Sequence, residues 1–72
     1  MSLEKALISL ARTQWRIANQ HLADLRAGRF PRQAEYKRAE VIRLRASAWT
    51  HLQWARRERQ WNRNETRVEA AE

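Results

Sequence analysis

One Gly and one Pro, three residues apart, govern what this chain can fold into. Gly supplies the left-handed backbone that tight reversals need, and Pro supplies a fixed φ and a missing donor. With one of each, the chain has a single strong reversal signal, Gly28-Arg29-Phe30-Pro31. A β-sandwich or barrel needs many such signals, and a phosphate-cradling loop needs several glycines. Good helix formers run almost unbroken on both sides of the turn. The expected fold is therefore all-α: an antiparallel two-helix hairpin with a longer second helix.

The ends of the elements can be read from local chemistry. Ser2 can cap a helix that starts at Leu3, with Glu4 in the first turn where a carboxylate suits the helix dipole. This helix 1 runs over about 3–27 and closes on Gly28, with Arg26 as a last-turn cation. The turn occupies 28–31. Pro31 suits the first turn of helix 2, which is expected over about 32–64. Residues 65–72 carry net −2 and are expected to fray as an acidic tail. The whole of 1–72 reads as one hairpin domain.

Helical periodicity shows which faces want cover. In helix 1, Leu3, Leu7, Ile8, Leu10, Ala11, Trp15, Ile17, Ala18, Leu22 and Leu25 span roughly half the circumference, wider than contact with one partner helix requires. Helix 2 carries two apolar stripes. Tyr36, Ala39, Ile42, Ala46 and Trp49 form one. Val41, Leu44, Ala48, Leu52 and Ala55 form the other, roughly 160° away on the wheel. A hairpin alone covers only one of them, so the other needs a second copy or a foreign protein that supplies the missing helices. A homodimer making a four-helix bundle would cover both, with Leu7, Leu10, Trp15, Ile17, Leu22, Leu25, Ile42, Leu44, Trp49 and Leu52 in its core or dimer interface. A chain of 72 residues without Cys also lacks disulfide staples, so added core from a second copy would help it.

Chemistry-bearing clusters are sparse. No thiolate is available to bind metal, and the two histidines, His21 and His51, fall on different helices. Ser2, Ser9 and Ser47 have no His at helical spacing backed by a carboxylate. Asp24 and Glu35 could approach across the turn, but solvated side chains explain them as well. The expectation is a protein that is not an enzyme and has no catalytic residues, metal site, cofactor or small-molecule substrate. No window is apolar enough to span a bilayer, and the start is too soon interrupted for a signal peptide, so a cytoplasmic location is expected.

Two binding surfaces stand out instead. The first is the Trp-Arg end of helix 2: Trp54, Arg56, Arg57, Trp61 and Arg63. Trp and Arg are the residues that most often anchor interfaces, and the longer helix should carry Trp61 past the end of helix 1 by one to two turns. The second is a basic edge, Arg38, Arg45, Arg56, Arg59 and Arg63, suited to track a phosphate backbone. Residues 29–63 hold ten basic and three acidic side chains, which equals the entire formal charge of +7. The excess apolar surface is harder to account for than the excess charge. A protein partner is thus favoured over nucleic acid, and a membrane surface ranks behind both. The expected role is a small regulator or adaptor of inhibitor or co-chaperone type. The alternative is a regulator that binds RNA or DNA through the basic edge.

The layout resembles that of Rop-type RNA-binding proteins, two-helix hairpins that dimerise into a four-helix bundle and bind RNA through one face. The turn segment from Leu25 to Tyr36 is similar to that of small hairpin co-chaperones of type III secretion, which hold needle subunits together with a helical-repeat partner. Phage-encoded inhibitors of host proteins are similar one-piece helical dimers. The first likeness implies RNA binding and the other two imply a protein partner. None of the three carries a motif from which site residues transfer to this chain.

Overall fold

The computed structural model describes the backbone of residues 2–71 and the side chains of residues 2–64. Helix α1 spans Leu3–Arg26 and helix α2 spans Ala34–Ala71, joined by a short 3-10 turn over Pro31–Gln33. The two helices pack side by side as a hairpin, and no strand occurs among the described residues. Helix α2 runs on through 65–71, where the sequence predicts a frayed tail; the side chains there lie outside the described residues.

The ends of α1 follow from its capping residues. The Ser2 hydroxyl accepts from the Lys5 backbone N–H at 3.2 Å. At the other end Gly28 has φ +69°. Its N–H donates to the Leu25 carbonyl at 3.2 Å, and the Arg29 N–H donates to the Asp24 carbonyl at 2.9 Å. This nested pair of bonds is a Schellman closure, which satisfies carbonyls that the end of a helix leaves free. A Cβ at Gly28 would meet nothing within 4 Å. The backbone angle alone, and not crowding, calls for glycine here.

The turn holds one feature that composition does not foretell. Phe30 is also left-handed, with φ 54° and ψ 55°. The following Pro31 disfavours the right-handed helical region for its predecessor, so Phe30 must be extended or left-handed. Left-handed backbone in a non-glycine residue costs about 1–2 kcal/mol. The Lys37 ammonium lies 5.0 Å from the centre of the Phe30 ring, a cation-π contact that offsets part of that cost. Because of this geometry helix 2 opens with a 3-10 turn and becomes α-helical only at Ala34.

The seam between the helices is thin and made of small side chains. Leu7, Ala11 and Ala18 of α1 and Val41, Leu44, Ala48 and Ala55 of α2 are its buried apolar residues. Four of the seven are alanines, so the backbones can approach closely but little apolar area is removed from water. The stripe through Val41, Leu44, Ala48 and Ala55 therefore faces α1, with Leu52 at its rim. Every residue of the stripe Tyr36, Ala39, Ile42, Ala46 and Trp49 is exposed. Among the residues expected in a core or dimer interface, the hairpin buries Leu7 and Leu44 and half-buries Leu22 and Leu25. Leu10, Trp15, Ile17, Ile42, Trp49 and Leu52 stay exposed within the single chain.

Candidate binding surfaces

Arg59 sets the register at the open end of the hairpin. Its Nε donates to Glu4 Oε1 at 2.7 Å, with Nη2 at the same distance from that oxygen. Glu4 is in the first turn of α1, so residues of α2 beyond Arg59 run past the end of α1. With α2 reaching Ala71, the projection is about three turns, longer than the one to two turns expected.

Trp61 lies on this projection and is 66% exposed. Trp54, one heptad earlier, is half-exposed, and Arg57 lies between them on the same face. Trp49, Thr50, Gln53, Trp54, Arg57 and Glu58 line a shallow groove of 500 Å³ on this outer side of α2. Arg56 and Arg63 fall elsewhere. At 100° per residue they sit roughly 160° from Trp54 and Trp61, on the edge of α2 that also carries Arg38 and Arg45. The five residues expected to form one partner-binding face are thus divided between two surfaces.

The basic edge is real but not uniform. Arg38, Arg56 and Arg63 are exposed. Arg45 places its guanidinium carbon 5.2 Å from the centre of the Trp15 ring. Arg59 is engaged by Glu4 and is only conditionally available to a phosphate. On the same side, α1 contributes Arg12 and Arg16, which the reading of helix 2 alone leaves out. They line an open groove of 590 Å³ together with Ile8, Ala11, Trp15, Asn19, Ala48 and Leu52. An adjoining groove of 320 Å³ shares Ile8 and Leu52 and continues to Trp49, Arg56 and Arg59.

The polar side chains in the seam are occupied with one another. Asp24 is buried and accepts from Lys37 Nζ at 3.0 Å and from Gln20 at 3.2 Å, with Arg29 3.6 Å away. Lys37 is buried as well. The Lys37 hydrogen bond is the main cause that holds the Asp24 carboxyl below its usual range, against the opposing effect of burial. Asp24 is therefore not the solvated side chain that the sequence suggested. Its partner is one of the only two lysines in the chain. His21 Nδ1 lies 3.4 Å from Lys37 Nζ, and its ring meets Tyr36 edge-on at 6.2 Å. One layer further along, Gln14 donates to Ser47 at 2.8 Å and lies 3.0 Å from His51 Nδ1. On the outside, Arg43 grips Glu40 with two bonds of 2.8 and 2.7 Å, which lowers the Glu40 pKa.

Among the described residues no group of His, Asp and Glu gathers that could hold a metal ion. Among them, too, no helix is long and apolar enough to cross a membrane. No family model, curated protein or solved structure matches this chain.

Proposed function

We propose that this hairpin is a non-enzymatic binding module that docks onto another protein, as a small inhibitor or co-chaperone does. The single observation that carries the reading is the exposure of the indoles. All four tryptophans are at least 46% exposed, and Ile42 and Tyr36 are more exposed still than Trp54. Large apolar patches on a small protein mark surfaces that another chain covers. In this reading Trp54 and Trp61 fill apolar pockets on the partner, and Arg57 pairs with its carboxylates. Arg56 and Arg63 act from the neighbouring edge.

The exposed stripe Tyr36, Ala39, Ile42, Ala46 and Trp49 is assigned to self-association. Two copies that join these stripes form a four-helix bundle, which supplies the core that the alanine-rich seam lacks. The projecting end of α2 stays available to the partner in such an assembly.

A second reading rests on the exposed row of Arg38, Arg56 and Arg63, with Arg45 beside it. It makes the dimer a binder of RNA or DNA through its backbone phosphates. Labelled RNA and DNA titrated at two salt concentrations separate the two readings. Weak binding without base preference and no effect of Trp61→Ala accord with a protein partner. Affinity of about 1 μM or better near physiological salt, falling linearly on a log-log plot, overturns it in favour of nucleic acid.

A further inference from the structure

We propose that the groove on the opposite side of the hairpin from Trp54 and Trp61 is a second docking site, and that its occupant is an acidic amphipathic helix of a partner protein. Its floor is Ile8 and Trp15 of α1 and Leu52 of α2, and its rim is Arg12, Arg16 and Arg45. This site is independent of the Trp54/Arg57/Trp61 face.

Three features define the occupant. The first is spacing. Ile8 and Trp15 are seven residues apart on one face of α1, about 10.5 Å along the axis. A helix laid along the groove presents its own residues i and i+7 at the same interval, with i+3 and i+4 directed at Leu52. The second is charge. No carboxylate is among the residues that line the groove of 590 Å³, whereas Arg12 and Arg16 both are. Glu4, in the adjoining groove, is already held by Arg59. Carboxylates flanking the apolar stripe of the incoming helix would find cations on both sides and little repulsion. The third is preorganisation. The Arg45 guanidinium carbon lies 5.2 Å from the centre of the Trp15 ring, so this cation is already held beside the floor and needs less ordering on binding. A phosphate backbone would use the rim but would leave Ile8, Trp15 and Leu52 wet. An apolar helix without acid would use the floor but leave three cations unpaired. The acidic amphipathic helix satisfies both.

Fluorescence anisotropy with a labelled helical peptide tests this. The peptide has about 18 residues, Leu at i, i+3, i+4 and i+7 and Glu at most other positions, and a scrambled peptide of equal composition is its control. The expected result is binding of the patterned peptide at least about tenfold tighter than the scrambled one, a difference that charge alone cannot produce. Arg16→Glu, on an exposed side chain, weakens it by about tenfold or more, and Trp15→Ala does the same. Thermal melts of both variants verify that the hairpin persists. Trp61→Ala leaves peptide affinity unchanged, which keeps this site distinct from the face of the proposed function. Absence of peptide binding overturns the proposal. Equal affinity for the two peptides, unchanged affinity in folded Arg16→Glu, or tighter binding of a labelled single-stranded RNA also overturns it.

Discussion

Ile42 and Leu44 are two residues apart on α2 and belong to opposite stripes, so truncating each to alanine measures the two faces separately. Leu44 is 5% exposed and packs in the seam. Leu44→Ala deletes three carbons, about 2.4 kcal/mol at about 0.8 kcal/mol each. The cavity left behind raises the cost toward about 4 kcal/mol. A core of this size supplies only about 3–5 kcal/mol in total, so the variant should lie at the edge of folding. Its melting midpoint should fall by about 10–30 °C. Ile42 is 71% exposed within the single chain. Ile42→Ala there loses under about 1 kcal/mol of burial and regains a few tenths in helix propensity, so the isolated hairpin should hardly change. If the outer stripe is the dimer interface, Ile42→Ala instead lowers the midpoint, and the loss depends on concentration. Far-UV circular dichroism melts of wild type and both variants at about 5 and about 200 μM read this directly. A wild-type midpoint that does not move with concentration, together with an Ile42→Ala midpoint equal to it, refutes self-association through this stripe. A Leu44→Ala loss below about 1 kcal/mol refutes the seam itself.

Three further predictions concern the hairpin alone. Asp24 has a folded pKa below its ordinary 3.8, so its pairing stabilises the fold above that value and is lost as pH falls through the folded one. Melting midpoints should be flat from neutral to mildly acidic pH and drop below about pH 4, and Asp24→Asn should lower the neutral midpoint while flattening that acid limb; an unchanged acid limb in the variant would show that other carboxylates dominate. Gly28→Ala places a Cβ on backbone at φ +69°, which costs about 1 kcal/mol by denaturant titration even though the space around it is open. Ala18 is wholly buried, and Ala18→Leu should force the helices apart at about 1–3 kcal/mol, a loss that hydrogen exchange would locate at the seam; a neutral variant would mean the helices are not in close contact there.

What the chain determines locally was legible residue by residue. Ser2, Gly28 and Pro31 act on backbone groups no more than a few positions away, so the helix ends and the single reversal follow from their chemistry. The two stripes of α2 are likewise a property of spacing along one helix. Their consequence, that a hairpin covers one and leaves the other, is geometric. Which stripe turns inward is another matter, because it depends on the rotation of one helix against the other, and local spacing does not encode rotation. Only packing decides that Val41, Leu44, Ala48 and Ala55 meet α1 and that Ile42 and Trp49 do not. The same holds for every contact between residues far apart in sequence. Lys37 reaches Asp24 across the turn, Arg45 reaches Trp15, and Arg59 reaches Glu4 over 55 positions. The separation of Trp54 and Trp61 from Arg56 and Arg63 follows from spacing along α2 alone. The pairings removed Arg59 from the free basic edge. They also joined Arg12 and Arg16 to a groove that neither helix possesses alone. Local chemistry along the chain thus specifies a helical hairpin with too much apolar surface and too much positive charge. Where each lies is settled by packing, because an interhelical surface exists only once two distant segments are brought side by side.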